Sequence, residues 1–139
     1  MDFTGKVALV TGGSRGIGAA TSRAIVSSGG SVVVHYGSNR EAAEKLVAEV
    51  GHDKCHAVRA DLGETGVASE LWGEALAWKG KVDILVNNAG VSPKAPFKER
   101  QGCLNGDLDA WREVFELNFF AGLKLARGFA SPLHKGKGA

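Results

Sequence analysis

Short, uninterrupted apolar runs alternate along the chain with amphipathic stretches. Val7-Ala8-Leu9-Val10 is the first run and Val32-Val33-Val34 follows Gly29-Gly30; Cys55 to Arg59 is a weaker one, and Val82 to Val86 is the last. The strong runs are continuously apolar instead of alternating with polar residues, so they predict strands buried on both faces of a parallel sheet. Between them, Ile17, Ala20, Thr21, Ala24 and Ile25 fall at i, i+3, i+4, i+7 and i+8, one helical face ended by Gly29-Gly30. Ala43, Leu46, Val47 and Val50 predict a second helix, with Ser38 or Asn39 as N-cap and Gly51 past its end. Val67, Leu71, Ala75 and Trp78 form a third face before Gly80, and a fourth helix is expected from about Asp109, which can cap it, to Gly128.

The order βαβαβαβα predicts an α/β fold, doubly wound, with right-handed crossovers and helices over both faces of the sheet. The fourth helix carries two apolar faces. Val114, Asn118, Ala121 and Leu125 define one; Phe115, Phe119, Gly122 and Ala126 define the other. Such a helix needs cover from its own sheet and from something else, and a second subunit is the expected cover.

Composition narrows the class. Glycine is 20 of 139 residues, about twice the average share of ~7%, yet it has no three-residue period and Pro is only 3, which excludes collagen. Apolar residues at 44% and charged ones at 23% exclude a disordered tail or a coiled coil. The length suits one domain, residues 1–139, and leaves little room for two. The 17 basic and 15 acidic residues are interleaved, without the basic stripe of a nucleic-acid binder. The basic tail His134-Lys135-Gly136-Lys137 reads as a solvated loop. Cys55 and Cys103 lie far apart with no CxxC or His/Cys cluster, so free thiols and no metal site are expected. Asp2 stands where a signal peptide needs basic residues, and no apolar run approaches a membrane span; the expected location is the cytoplasm.

The sharpest chemical signal is Thr11-Gly12-Gly13-Ser14-Arg15-Gly16-Ile17-Gly18, between the first strand and the first helix. Glycines there permit a tight turn and let bare backbone N–H groups approach a pyrophosphate. The helix N-terminus adds unpaired amides and a partial positive charge. No Lys-Ser/Thr follows the last glycine, which disfavours a P-loop for nucleoside triphosphates.

This string resembles the T-G-x-x-x-G-x-G loop of the short-chain dehydrogenase/reductase family. Asn87-Asn88-Ala89-Gly90, directly after Val82 to Val86, is similar to that family's N-N-A-G motif; Asp61-Leu62 occupies its acidic position beside the adenine, and Asn118 its helix asparagine. The matches span about residues 5 to 130. The resemblance implies a Rossmann-type sheet of order 3-2-1-4, ending before a fifth strand and so incomplete at its C-terminus, with Ile84-Leu85-Val86 left as an open edge. It also implies cofactor contacts at Gly12, Ser14, Arg15, Gly16, Ile17, Gly18, Tyr36, Ser38, Asn39, Arg40, Asp61, Leu62, Asn88, Ala89 and Gly90, and a dimer through the fourth helix. Each match has a plainer reading: Asp61 as a turn or capping acid, Asn87 and Asn88 as turn residues, Asn118 as a satisfied core amide.

The end of the second strand bears on which dinucleotide is bound. NAD binding asks for an acid there to take the ribose 2′-OH. The chain has His35-Tyr36-Gly37-Ser38-Asn39-Arg40 instead, and Arg15 and Arg40 are cations suited to a 2′-phosphate. NADP(H) is expected in preference to NAD(H).

Family catalysis, as the resemblance implies, uses a Ser and a Tyr-x-x-x-Lys pair, with the helix asparagine (here Asn118) in a proton relay. The Tyr exchanges a proton with a carbonyl or alcohol oxygen while hydride moves between nicotinamide and substrate carbon. Tyr36 is the one tyrosine, its +4 residue is Arg40, and it lies at the adenosine end. The chain therefore reads as the cofactor-binding half of an NADP(H)-dependent oxidoreductase acting on a small carbonyl or alcohol. The alternative is a non-catalytic dinucleotide-binding or subunit-interaction module. The segment Val91 to Asp107, with Pro93, Pro96, Gly102 and Gly106, reads as an irregular loop on the cofactor side.

Overall fold

The computed structural model describes residues 1–92 and 107–136, with side chains described to residue 130. Cys103 and most of the expected loop lie outside these residues. Four strands, β1 (Val7–Val10), β2 (Ser31–Tyr36), β3 (Cys55–Arg59) and β4 (Ile84–Val86), form one parallel sheet of order β3-β2-β1-β4. In register, Leu9 stands between Val33 and Leu85, and Val34 faces Ala57. Every residue of β1 and β2 is buried, as continuous apolar runs require.

Because side chains alternate across a strand, the sheet makes two cores. Ala8, Val10, Val32, Val34 and Cys55 pack beneath α1 (Gly16–Ser27) and α2 (Arg40–Val50), which contribute Ile25, Leu46 and Val47. Leu9, Val33 and Val58 face the other way, onto Leu71 and Ala75 of α3 (Val67–Lys79) and Ala121 and Leu125 of α5 (Ala121–Gly136). Asn39 is the cap of α2, its Oδ1 accepting the Ala42 N–H at 2.9 Å, and Gly51 and Gly80 end α2 and α3 with positive φ.

Several expectations shift. The buried row of α1 is Gly18, Ala19, Ser22 and Ile25, whereas Ile17 is 79% exposed and Ala20 and Ala24 face outward. The glycine turn sets the rotation of the helix, and a small polar residue takes the core position because Ser22 Oγ bonds to the Gly18 carbonyl. Strand β4 is shorter than expected, since the Asp83 carboxylate takes the Val7 N–H at 2.8 Å and so caps β1 below the ladder.

The fourth helix starts one residue earlier, as α4 (Leu108–Phe115), and its cap is Asp107, whose Oδ1 accepts the Asp109 N–H, not Asp109. A π-helical turn, Glu116–Phe120, joins α4 to α5, whose backbone stays helical to Gly136 through most of the expected basic tail. A helix already formed extends at little cost, which carries it past the turn signals of that tail. The π turn advances the helical phase, so Gly122, which the helical period groups with Phe115 and Phe119, is buried against Asn87 while they are exposed. A Cβ at Gly122 would stand 2.4 Å from Asn87 Nδ2. Phe115, Phe119, Phe120 and Leu123 stay exposed.

Candidate functional site

The C-terminal ends of β1, β2 and β4 open into a cleft of about 490 Å³, with the β3–α3 connection forming its far wall. This is where open α/β sheets hold ligands. Gly12, Ser14, Arg15 and Gly16 line it from the glycine loop, and Tyr36, Ser38 and Asn39 from the end of β2. Asp61 and Leu62 line it beyond β3, and Asn88, Ala89 and Gly90 beyond β4. The structure thus brings together twelve of the fifteen expected cofactor contacts.

The other three stand apart. Gly18 lies behind the loop, Ile17 points to solvent, and Arg40 turns onto Glu44 at 2.6 Å. That pairing follows from sequence, because an acid four residues on in a helix is within a guanidinium's reach. Among the described residues, Arg15 is then the cation that lines the cleft.

The loop is shaped for close backbone approach. Gly12 and Gly16 have φ of +62° and +52°, a region that favours glycine. A Cβ at Gly12 would meet Ala89 Cα at 3.1 Å, and one at Gly18 would stand 2.2 Å from the Gly12 carbonyl oxygen. The N-cap of α1, Arg15, bonds no helix amide through its side chain. The first amides of α1 therefore keep their donors for an anion. The residues present fit a dinucleotide pyrophosphate on these grounds.

Thr11 and Asn88 tie the loop to β4. Thr11 Oγ1 accepts the N–H groups of Asn88 and Ala89, both at 3.0 Å, and Asn88 Nδ2 donates to the Thr11 and Gly12 carbonyls. Asn88 therefore braces adjacent strand ends. Asp61 Oδ1 accepts the Gly63 N–H, so it holds its own turn while lining the cleft. Asn118, in the π turn, donates to the Val91 carbonyl and accepts the Val91 N–H at 2.9 and 2.8 Å.

Sequence reasoning missed His35. It is 4% exposed on the cleft floor, with Nδ1 accepting the Gly12 N–H at 3.0 Å and Nε2 3.0 Å from the Ala60 carbonyl. Burial lowers its pKa, opposed by the Ala60 carbonyl and the Asp61 charge. The signal was present: a histidine continuing a fully buried strand must find partners for both ring nitrogens. Leu117, Gly37 and Ala60 also line the cleft without having been anticipated, and Val91, the first residue of the loop expected on the cofactor side, lines it too. Among the described residues no His/Cys/Asp/Glu group could hold a metal ion, and no helix is long and apolar enough to cross a membrane.

A parallel 3-2-1-4 sheet with a glycine loop at its switch point defines a Rossmann-type nucleotide-binding fold. The chain belongs to the short-chain dehydrogenase family, whose model matches residues 6–139. It is 38% identical over 136 residues to an uncharacterized oxidoreductase of Methylorubrum extorquens, covering 96% of this chain and 52% of the relative. It is 37% identical over 118 residues to a 3-oxoacyl-[acyl-carrier-protein] reductase of Synechocystis, covering 84% and 45%. A blue fluorescent protein from a metagenomic library, solved in complex with NADPH, superposes with a TM-score of 0.81 at 31% identity, covering 94% and 52%. The chain spans about half the length of the relatives it matches.

Proposed function

We propose that this chain forms the NADP(H)-binding half of an oxidoreductase that moves hydride between nicotinamide and a small carbonyl or alcohol substrate. The observation that supports it most is the uncapped N-terminus of α1 opening, through Gly12 and Gly16, onto a cleft with no carboxylate at the end of β2. In this reading the pyrophosphate takes the first amides of α1, and Asp61 and Leu62 flank the adenine. Arg15, Ser38 and Asn39 receive the 2′-phosphate; Asn39 Oδ1 is committed to capping α2, which leaves its Nδ2 as the donor. Bound there, the cofactor supplies or accepts the hydride.

Asn118 is the proposed relay residue. Its bonds to Val91 leave one lone pair on Oδ1 and one N–H on Nδ2, the atoms through which a proton path would run. The exposed Phe115, Phe119, Phe120 and Leu123 support a homo-oligomer through the fourth helix, and the cytoplasm is the proposed location. A monomer at micromolar concentration in sedimentation would overturn the oligomer.

The test is a fluorescence titration with NADPH and NADH. A charge-assisted contact to the 2′-phosphate is worth about 1.5–3 kcal/mol, so Arg15→Ala should weaken NADPH roughly 10–100-fold and NADH far less. Arg40→Ala should change both little, given the pairing with Glu44. Equal losses of NADPH and NADH in the Arg15 variant would sink the NADP(H) assignment.

A further inference from the structure

One residue of β2 holds two successive amides of the glycine loop. The backbone carbonyl of His35 accepts the Gly13 N–H at 2.9 Å, and its side-chain Nδ1 accepts the Gly12 N–H at 3.0 Å. A backbone N–H can only donate, so Nδ1 carries no proton. The Ala60 carbonyl can only accept, so the proton is on Nε2, which donates across 3.0 Å to the end of β3. The tautomer is thus fixed from both sides.

These three bonds join the two walls of the cleft. Gly12 and Gly13 open the phosphate-facing loop, and Ala60 precedes Asp61 and Leu62 on the opposite wall. With Gly12 and Gly13 amides spent on His35, the loop's first turn is fixed and the amides at the start of α1 are left as its free donors. We propose that His35 is a positioning residue of the dinucleotide cleft: as the neutral Nε2–H imidazole it fastens the glycine loop to the end of β3 and so sets where the free amides of α1 point. The inference rests on the reading of the cleft as a dinucleotide site and adds to it a residue that need not touch the dinucleotide. Protonation would turn Nδ1 into a donor facing the Gly12 N–H and break the fastening. Burial opposes that proton and Asp61 favours it; among the described residues, Arg15 on the loop and Tyr36 on β2 are the other titratable groups lining the cleft.

Two measurements test this. In nitrogen NMR of the free chain, His35 should be neutral at pH 7 with its proton on Nε2, and the Gly12 amide should shift as the ring titrates; a proton on Nδ1 overturns the assignment. In NADPH titrations at pH 8, His35→Leu should bind about tenfold or more weakly, because displacement of a positioned group by a fraction of an ångström is costly. His35→Asn places Oδ1 where Nδ1 stood and should recover most of that loss. As pH falls through the lowered His35 pKa that the NMR titration locates, wild-type affinity should drop more than that of His35→Asn, since the ionisation of the 2′-phosphate is common to both. A His35→Leu variant that binds as wild type does, a His35→Asn variant as weak as His35→Leu, or identical pH profiles for wild type and His35→Asn would each overturn the proposal. A wild-type chain that binds no NADPH overturns the dinucleotide reading itself, a result distinct from these, and the NMR outcome still decides the tautomer.

Discussion

Replacing Gly18 and Gly73 by alanine, one at a time, should move stability in opposite directions. Both are helical glycines, and on propensity alone each gains up to about 1 kcal/mol from a Cβ. Gly73 lies in the exposed part of α3 with nothing within 4 Å of an added Cβ, so Gly73→Ala should stabilise by about 0.5–1 kcal/mol. At Gly18 the Cβ would stand 2.2 Å from the Gly12 carbonyl oxygen and 2.7 Å from Asn88 Nδ2. The oxygen belongs to backbone and cannot swing aside, so α1 must retreat from the loop by roughly 1 Å, an overpacking cost of about 1–3 kcal/mol or more. The first turn recovers little of this through propensity. The two variants should therefore differ by about 1.5–4 kcal/mol. Urea unfolding followed by circular dichroism would read this as midpoints separated by roughly 0.5–4 M, at a slope of about 1–3 kcal/mol/M. A Gly18→Ala midpoint at or above that of Gly73→Ala would refute the packing of α1 against the glycine turn.

Two further outcomes follow from the core and the sheet's base. Burial pushes the Cys55 thiol up to about 11, so in the native state at pH 8 Cys55 should resist alkylation, with modification located by mass spectrometry appearing only on unfolding. Rapid native labelling at Cys55 would contradict its burial under α2. Burial alone would raise Asp83, but the Val7 amide, Lys81 and Lys6 outweigh it and hold the carboxyl below its ordinary value. A depressed folded pKa stabilises above the unfolded value and is lost as pH falls through the folded one. Asp83→Asn should accordingly lower stability at pH 7 and flatten the acid limb of the stability profile; an unchanged limb would refute it.

Fold class was legible because β1, β2 and β4 hold unbroken apolar runs and the helices between strands are amphipathic and glycine-punctuated; the strand order came from the family resemblance, and β3, with His56 and Arg59, was the weakest signal. The candidate site was legible where it depends on backbone: the glycine loop stands between strand and helix as its residues predict, and Asp61 and Asn88 line the cleft as the family resemblance implies. What escaped depends on phase and on partners. The period of α1 pointed to Ile17 because large apolar residues dominate a helical-face count, while the buried row is filled by Gly18, Ala19 and Ser22. Gly122 was misplaced because a one-residue phase advance leaves no local compositional mark. Arg40 suits a 2′-phosphate by its charge and its place after β2, but Glu44 one turn on holds its guanidinium. His35 escaped because its role appears only when Gly12 and Ala60, 48 residues apart, are brought to the same ring.

The register of β1 also sets an order in time. Leu9 meets Val33, 24 positions on, but Leu85 only 76 positions on, so the second edge of β1 stays unpaired while some fifty more residues are made. At about 5–20 residues per second that is roughly 3–10 s of synthesis. Asn88, which ties the glycine loop to β4, emerges later still. The phosphate-facing turn is therefore synthesised well before the strand end that fixes it. Substitutions at Asn88 or Thr11 should act on nascent yield as well as on the finished cleft.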